Sequence, residues 1–276
     1  MRVWEITGDG IDALALADRP SLAPGPRQLR VRVDAVALNY RDLSTVRAAS
    51  ARGLALPLVP CADAAGEVLE VGADVDELAP GDRVVSCFFQ RWSDGPCTPE
   101  AMATALGGAV DGVLADEVTL EADGVVPAPP HLTPAEAATL TTAGVTAWNA
   151  TAHIAAMKPG ETLLLLGTGG VSIFALQFAR LLGVRAIVTS KSDAKLARAR
   201  ELGAWATLNY AREPDWDRAV LDLTGGAGAD ATLEVGGAGT LERSIRATRV
   251  AGTIVLVGIL TGGAIDPVAI MRKSLR

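Results

Sequence analysis

Cysteine, histidine and aromatic side chains are scarce in this chain of 276 residues: three cysteines, two histidines and 4% aromatics. The cysteines, Cys61, Cys87 and Cys97, show no paired metal spacing, so a reducing cytoplasm is the expected setting. His131 and His153 have no evident partners for a catalytic triad. No apolar run approaches the ~20 residues of a membrane span. The first residues lack the basic–apolar–small pattern of a secretory signal. Positive charge is in deficit: the formal net charge of −7 argues against nonspecific binding to nucleic acid and to anionic membranes. What is left is ordinary globular composition, 49% hydrophobic and 21% charged, in a chain long enough for one large or two medium domains.

Two regimes follow one another. Up to about residue 124 the pattern is short strands and turns. Leu29–Ala37 (LRVRVDAVA) and Ala65–Val71 (AGEVLEV) alternate as half-buried strands, Pro80-Gly81-Asp82 turns into Arg83–Phe88, and Gly112–Thr119 returns to strand character. This is expected to be a barrel-like β domain over residues 1–124. Val125-Val126-Pro127 followed by Pro129-Pro130 reads as a linker. From there to residue 276 the period changes. Thr133-Pro134-Ala135-Glu136 is a capping box with proline at the first helical position. Strands and helices then alternate, which predicts a doubly wound α/β domain with a parallel sheet. Five strands are legible, where a nucleotide-binding sheet usually has six.

The second domain turns on Thr162 to Ser190. Leu163–Leu166 is apolar without a break, as in a strand buried on both faces. Gly167, Thr168, Gly169 and Gly170 form a turn that a ligand can approach closely. A helix starting near Val171 aims its free N–H groups and positive dipole end at that turn, which suits a diphosphate. The spacing follows G-x-G-x-x-G, with Ser172 as a small residue in the third glycine position. A strand at Arg185–Thr189 and a further helix complete a βαβ unit. The residue after that strand selects the cofactor. NAD-binding folds place Asp or Glu there to hold the ribose hydroxyls. Here it is Ser190, followed by Lys191, with Lys195 one turn into the next helix. Those cations suit the 2′-phosphate of NADPH, although a lysine pair on a solvated helix face would look the same.

Six blocks in order resemble the medium-chain dehydrogenase/reductase superfamily. They are VALNYRD (Val36–Asp42), AGEVLEVG (Ala65–Gly72), GDRVV (Gly81–Val85), AGVTAWNA (Ala143–Ala150), GTGGVS (Gly167–Ser172) and ELGA (Glu201–Ala204). The resemblance covers essentially the whole chain and is nearest to the zinc-independent alcohol dehydrogenase and quinone-oxidoreductase-like branch. It implies a GroES-like β-barrel domain followed by a Rossmann domain. In zinc-dependent members a cysteine, a histidine–glutamate pair and a second cysteine hold the metal. The matching positions here are Asn39, Ala62-Asp63 and Thr142, a poor donor set, and the four cysteines of the structural zinc lobe are absent. No zinc is expected. Asn39 and Tyr40 resemble cleft-lining positions, where an amide or phenol can donate to a substrate oxygen; Tyr40 could equally be a packing residue. Asp42 could face the cofactor, orient Arg41 or belong to a turn. Thr142 and Thr146 resemble contacts to the nicotinamide face, and Tyr210 a contact on the phosphate side. Gly236, Gly258, Ile259 and Leu260 resemble backbone positions that meet the nicotinamide ribose and carboxamide.

These features imply an NAD(P)-dependent oxidoreductase, NADPH preferred, moving hydride to or from a quinone, enone, aldehyde or alcohol. The competing expectation is a catalytically idle NADPH-binding sensor or partner protein. The family pattern continues about 50–60 residues further and adds a sixth strand that commonly joins two subunits. A homodimer is expected where that strand is present; without it Thr253–Val257 would carry an unpaired edge.

Overall fold

Alternating apolar and polar side chains shape the first unit of the computed structural model, which describes residues 1–276 and divides into Met1–Thr142 and Ala143–Arg276. β1 (Arg2–Ile6) and β2 (Leu14–Asp18) form an antiparallel hairpin that the sequence reading did not single out. β3 (Gln28–Ala37) leads to α1 (Tyr40–Arg47) and β4 (Asp63–Val71). After these come β5 (Arg83–Ser86), α2 (Pro99–Met102), β6 (Glu117–Glu121), β7 (Val125–Pro127) and α3 (Pro134–Ala138). The main sheet runs β6-β3-β4-β5-β7 and every neighbouring pair is antiparallel. Leu29, Val31, Val68, Val84, Val118 and Leu120 point to one shared core.

The register of β3 on β4 sets up the polar cluster of the first unit. It runs from Leu29 opposite Val71 to Ala37 opposite Asp63. The exit of β3 therefore lies beside the start of β4, and Asn39 follows two residues later.

The expected linker at Val125–Pro127 is instead a strand. Val126 pairs with Val85, and Val125 is buried in the core. Pro127 is tolerated because β7 is an edge strand, where a missing N–H leaves no partner unpaired. The compact first unit extends through α3 to Thr142. The capping box at α3 is present as expected: Glu136 accepts from the Thr133 N–H at 2.9 Å, and Thr133 Oγ1 accepts from the Glu136 N–H at 3.3 Å.

Beyond α3 the chain stays helical through two wide π turns, Leu140–Gly144 and Asn149–Ile154, on either side of α4 (Val145–Trp148). The second unit then alternates strictly. β8 (Thr162–Leu166), α5 (Gly170–Leu181), β9 (Arg185–Ser190), α6 (Asp193–Glu201) and β10 (Ala206–Asn209) form its first half. α7 (Trp216–Leu223), β11 (Ala229–Glu234), α8 (Ala238–Ala247), β12 (Thr248–Leu256) and α9 (Pro267–Arg272) complete it. The sheet order is β10-β9-β8-β11-β12 and all pairs are parallel. From β8 the chain builds first toward β9 and then, on the other side, toward β11. That reversal makes the crevice at the carboxyl ends of β8 and β11 a ligand position.

β8 is buried on both faces. Leu163 and Leu165 pack with Leu176 of α5 and Leu196 of α6, while Leu164 and Leu166 pack with Trp216 and Val220 of α7. Each such leucine contributes roughly 1.5–3 kcal/mol by leaving water. The far edge of β12 is less bare than expected. The Ile254 N–H donates to the Arg276 carbonyl at 2.8 Å, the Arg276 N–H to Gly252 at 3.1 Å, and the Ala251 N–H to Lys273 at 2.8 Å. No helix is long and apolar enough to cross a membrane.

Leu165→Ala should cost about 2–5 kcal/mol of stability, because it opens a cavity in a layer sealed on both sides. Urea unfolding followed by circular dichroism measures this; a loss below about 1 kcal/mol would contradict two-sided burial.

Candidate functional site

The turn after β8 has the form expected of a nucleotide cradle. Gly167 takes φ +74°, which an L side chain resists. Its N–H donates to Thr189 Oγ1 at 3.3 Å, tying the ends of β8 and β9 together. Ser172 explains the third position of the motif. Its buried hydroxyl donates to the Leu166 carbonyl at 2.8 Å, so a serine both fits and fastens helix to strand. The first intrahelical donor at this end of α5 is the Ile173 N–H, bonded to Gly169 at 3.0 Å. The N–H groups of Gly170, Val171 and Ser172 precede it and are the helix's unsatisfied donors. Thr168 is half-buried, and Gly169 and Gly170 are exposed.

Gly169 is informative because nothing in the fold demands it. Its φ of −77° suits any residue, and no atom lies within 4 Å of where a Cβ would stand. The same space is open beside Gly167. A turn kept bare on its outer side fits a ligand that must come close to the backbone, as a dinucleotide diphosphate does.

A cleft of about 340 Å³ opens beside this turn, with Gly167, Thr189, Tyr210, Gly236, Arg243 and Leu260 among its walls. One buried carboxylate builds its far wall. Glu234 at the end of β11 is fully buried. Its Oε1 accepts from the Gly236 N–H at 2.6 Å, the Gly237 N–H at 3.2 Å and Thr240 Oγ1 at 2.7 Å, and its Oε2 from the Ser244 hydroxyl. Gly237 takes φ +81°, so the chain reverses there before α8. Leu260 lines the same wall and Gly258 is bonded to the end of β11 behind it, so their N–H groups are used within the fold. The Gly258 N–H donates to the Glu234 carbonyl at 3.3 Å and the Leu260 N–H to Gly236 at 3.1 Å. Ile259 stands 66% exposed beside them.

Ser190 does end β9, in the position where an acidic residue would select NAD. It is buried, and its hydroxyl accepts from the Ser192 N–H at 3.2 Å. Lys191 and Lys195 are exposed at the start of α6 and are not among the cleft walls. Tyr210 is a wall, and its N–H donates to the Ser190 carbonyl at 3.2 Å. The sequence reading missed Arg243. Its Nε is buried without a hydrogen-bond partner, 3.7 Å from Asp217 Oδ1, while Arg246 takes the other carboxylate oxygen at 2.6 Å. Both arginines lie on α8, and the sequence does not show which of them reaches the cleft. Thr146 lies half-buried in α4.

The first unit holds a second cluster. Asn39 caps α1 in a capping box with Asp42, and Asp42 Oδ2 accepts from the Asn39 N–H at 2.8 Å. Asn39 Nδ2 donates to Asp63 Oδ2 at 2.8 Å, and Thr142 Oγ1, carried by the first π turn, donates to Asp63 Oδ1 at 2.6 Å. Asp63 is fully buried, and burial raises its pKa against the pull of the Thr142 and Asn39 hydrogen bonds. Asp42 is raised too, by burial first, with its Asn39 hydrogen bond opposing. Arg41 lies 3.6 Å from Asp42 but spends its Nη1 on the Leu106 carbonyl at 2.9 Å and stacks over Phe88. Asp42 thus acts here as a helix cap, and Tyr40 is 58% exposed at the start of α1. Burial pushes the Cys61 thiol up to about 12, so it is a packed side chain and not a nucleophile at neutral pH.

Asn39, Asp63 and Thr142 are positions that the family resemblance matches to the metal ligands of zinc-dependent members. Here the amide and the hydroxyl both turn hydrogens toward the one carboxylate. Amide and hydroxyl are weak zinc ligands, and Ala62 offers no ligand atom on its side chain. This set does not fit a zinc ion.

Comparison with known proteins agrees with the architecture. Residues 25–130 match the alcohol dehydrogenase GroES-like domain, and residues 170–276 match the family described as zinc-binding dehydrogenase. A zinc-type alcohol dehydrogenase-like protein of Schizosaccharomyces pombe is 42% identical over 244 residues, which is 88% of this chain and 70% of that protein. A solved NAD-dependent alcohol dehydrogenase superposes with a TM-score of 0.91 at 34% identity, covering 100% of this chain and 83% of that one. The quinone oxidoreductase of Escherichia coli, solved with NADPH, gives 0.83 at 26% identity over 100% of this chain and 79% of its own.

The bare outer side of the glycine turn gives a direct expectation. Gly169→Val should change the melting temperature little, since only an N-cap preference of about 1 kcal/mol is at stake. It should weaken dinucleotide binding by about tenfold or more, because the new side chain stands where a diphosphate needs the backbone. Fluorescence titration with NADPH measures this, and unchanged affinity would remove the turn from the site. With a GroES-like first unit, a Rossmann second unit and relatives matched along both, the chain belongs to the medium-chain dehydrogenase/reductase superfamily and is an NAD(P)-dependent oxidoreductase of the alcohol dehydrogenase and quinone oxidoreductase type.

Proposed function

We propose that the protein is a zinc-independent oxidoreductase that prefers NADPH and passes hydride to a conjugated ketone, quinone or aldehyde, or takes it from an alcohol. The end of β9 carries the cofactor preference. A buried serine stands where NAD-selective folds keep a carboxylate, and a lysine follows it. With serine and not an acid at the end of β9, a 2′-phosphate gains from Lys191, Lys195 and Tyr210. Arg243, under-partnered and on the cleft wall, adds a further positive charge. The related Escherichia coli enzyme was solved with NADPH, which supports the same reading.

The chain's own groups divide the work. The N–H groups from Gly170 to Ser172 bind the diphosphate, with Gly167, Thr168 and Gly169 shaping its bed. Thr142 and Thr146 are assigned to the nicotinamide end, with Gly236 and Gly258–Leu260. When bound, the nicotinamide dinucleotide supplies or accepts the hydride. Asn39 donates a hydrogen bond to the substrate oxygen as negative charge grows there. That help is greatest where conjugation spreads the charge, which favours enones and quinones over a simple alcohol that must also lose a proton.

The test is an NADPH titration followed by oxidation assays over quinones, enones and aldehydes, repeated with Lys191→Glu. The substitution should raise KM for NADPH by about tenfold or more and KM for NADH by less than about twofold, because it sets a like charge against the 2′-phosphate. Equal changes would remove the NADPH preference. Binding without turnover on any acceptor would favour a nucleotide sensor over an enzyme.

A further inference from the structure

Asn39 faces a problem that its residue type cannot solve alone. The two ends of its side-chain amide are nearly equal in shape, and the torsion that carries them is soft and roughly two-fold. Turned one way the amide offers N–H donors to a substrate oxygen; turned the other way it offers a carbonyl oxygen, which repels that oxygen. An isolated asparagine would sample both.

We propose that Asp63 is the positioning residue that fixes Asn39 with its donor end toward the substrate carbonyl. An ionised carboxylate is acceptor-only, so the neighbouring amide must present Nδ2 to it. The observed contact is of this kind, at 2.8 Å. The carboxylate cannot swing away, because its other oxygen is held by Thr142 Oγ1 at 2.6 Å and the whole side chain is buried. The Asn39 backbone is held by a second buried acid, Asp42, at 2.8 Å. An amide nitrogen carries two hydrogens. One is committed to Asp63, and the other is the remaining donor of a half-buried side chain. Where zinc-dependent relatives would place a Lewis acid, Asn39 held by Asp63, Thr142 and Asp42 makes a fixed hydrogen-bond donor. The register Ala37 opposite Asp63 makes the arrangement a property of the sheet, since it sets the start of β4 beside the corner between β3 and α1. This inference rests on the reading of Asn39 as the substrate's donor.

The experiment compares Asp63→Ala, Asp63→Asn, Asn39→Ala and the Asp63→Ala/Asn39→Ala double variant of the full chain, with NADPH and 1,4-benzoquinone, together with the side-chain amide NMR signals of Asn39. Asparagine at 63 still offers an oxygen to Asn39 and an amide to Thr142, so Asp63→Asn should keep kcat within about threefold. Asn39→Ala should lower kcat by about tenfold or more, as loss of a transition-state donor does. Asp63→Ala should lower kcat by about fivefold or more with KM for NADPH nearly unchanged, and by less than about twofold when Asn39 is already alanine. In NMR, one Asn39 Nδ2 proton should be shifted downfield in the native protein and in Asp63→Asn, and that separation should collapse in Asp63→Ala.

Equal losses from Asp63→Ala with and without Asn39 would overturn the inference, as would an amide signal indifferent to Asp63. An Asn39→Ala variant with full kcat, or a native protein that turns over no acceptor, would instead overturn the donor reading; the NMR arm still reports whether Asp63 orients the amide. If Asp63→Ala does not fold, Asp63→Ser, too short to reach the amide, replaces it with the same expected losses.

Discussion

Strand β8 has no face that can be left in water, and much of the second unit follows from that constraint. Its four leucines are each 5% exposed or less. Odd and even positions therefore need separate apolar partners, which α5 and α6 supply on one side and α7 on the other. A strand covered on both faces is hydrogen-bonded on both edges most readily in a parallel sheet with helical crossovers. Once β9 and β11 take those edges, the carboxyl ends of three strands stand together and the turn at Gly167 opens between them. The open glycine turn is thus a by-product of burying an apolar strand.

Polar burial does the corresponding work at finer scale. A carboxylate out of water must be surrounded by donors, and the chain uses this requirement to hold loops in place. Glu234 gathers two backbone N–H groups and two hydroxyls, which fixes the Gly236–Gly237 reversal on the cleft wall. Asp63 gathers an amide and a hydroxyl from segments far apart in sequence. In both cases the acid's demand for partners is met by residues assigned to the site, so removing the acid would disturb their geometry as well as stability.

Much of this was legible in the sequence for identifiable reasons. Runs such as Leu163–Leu166, the glycine turn and the Thr133 capping box depend on near neighbours, and the structure places them as expected. The serine that ends β9 and the poor zinc donors at Asn39, Ala62 and Thr142 could be seen by comparing residue types with what the chemistry needs. Other features were hidden. β7 reads as a linker in sequence because three residues ending in proline carry no periodicity; its partner, β5, is about forty positions earlier, and only that pairing makes it a strand. α1 was missed because its eight residues are too short for a clear apolar stripe.

By itself the sequence determined the fold class, the nucleotide turn and the residue types available for chemistry, because periodicity, turn chemistry and charge are local properties. Only the tertiary structure decided how those residues act. It places Asp63 in hydrogen-bond contact with both Asn39 and Thr142, makes Asp42 a helix cap, and sets Arg243 in the cleft wall while Lys191 lies outside it. Each of these depends on strand register or on which side of a helix meets the sheet. Both are set by distant partners that compete to bury apolar surface and satisfy buried polar groups.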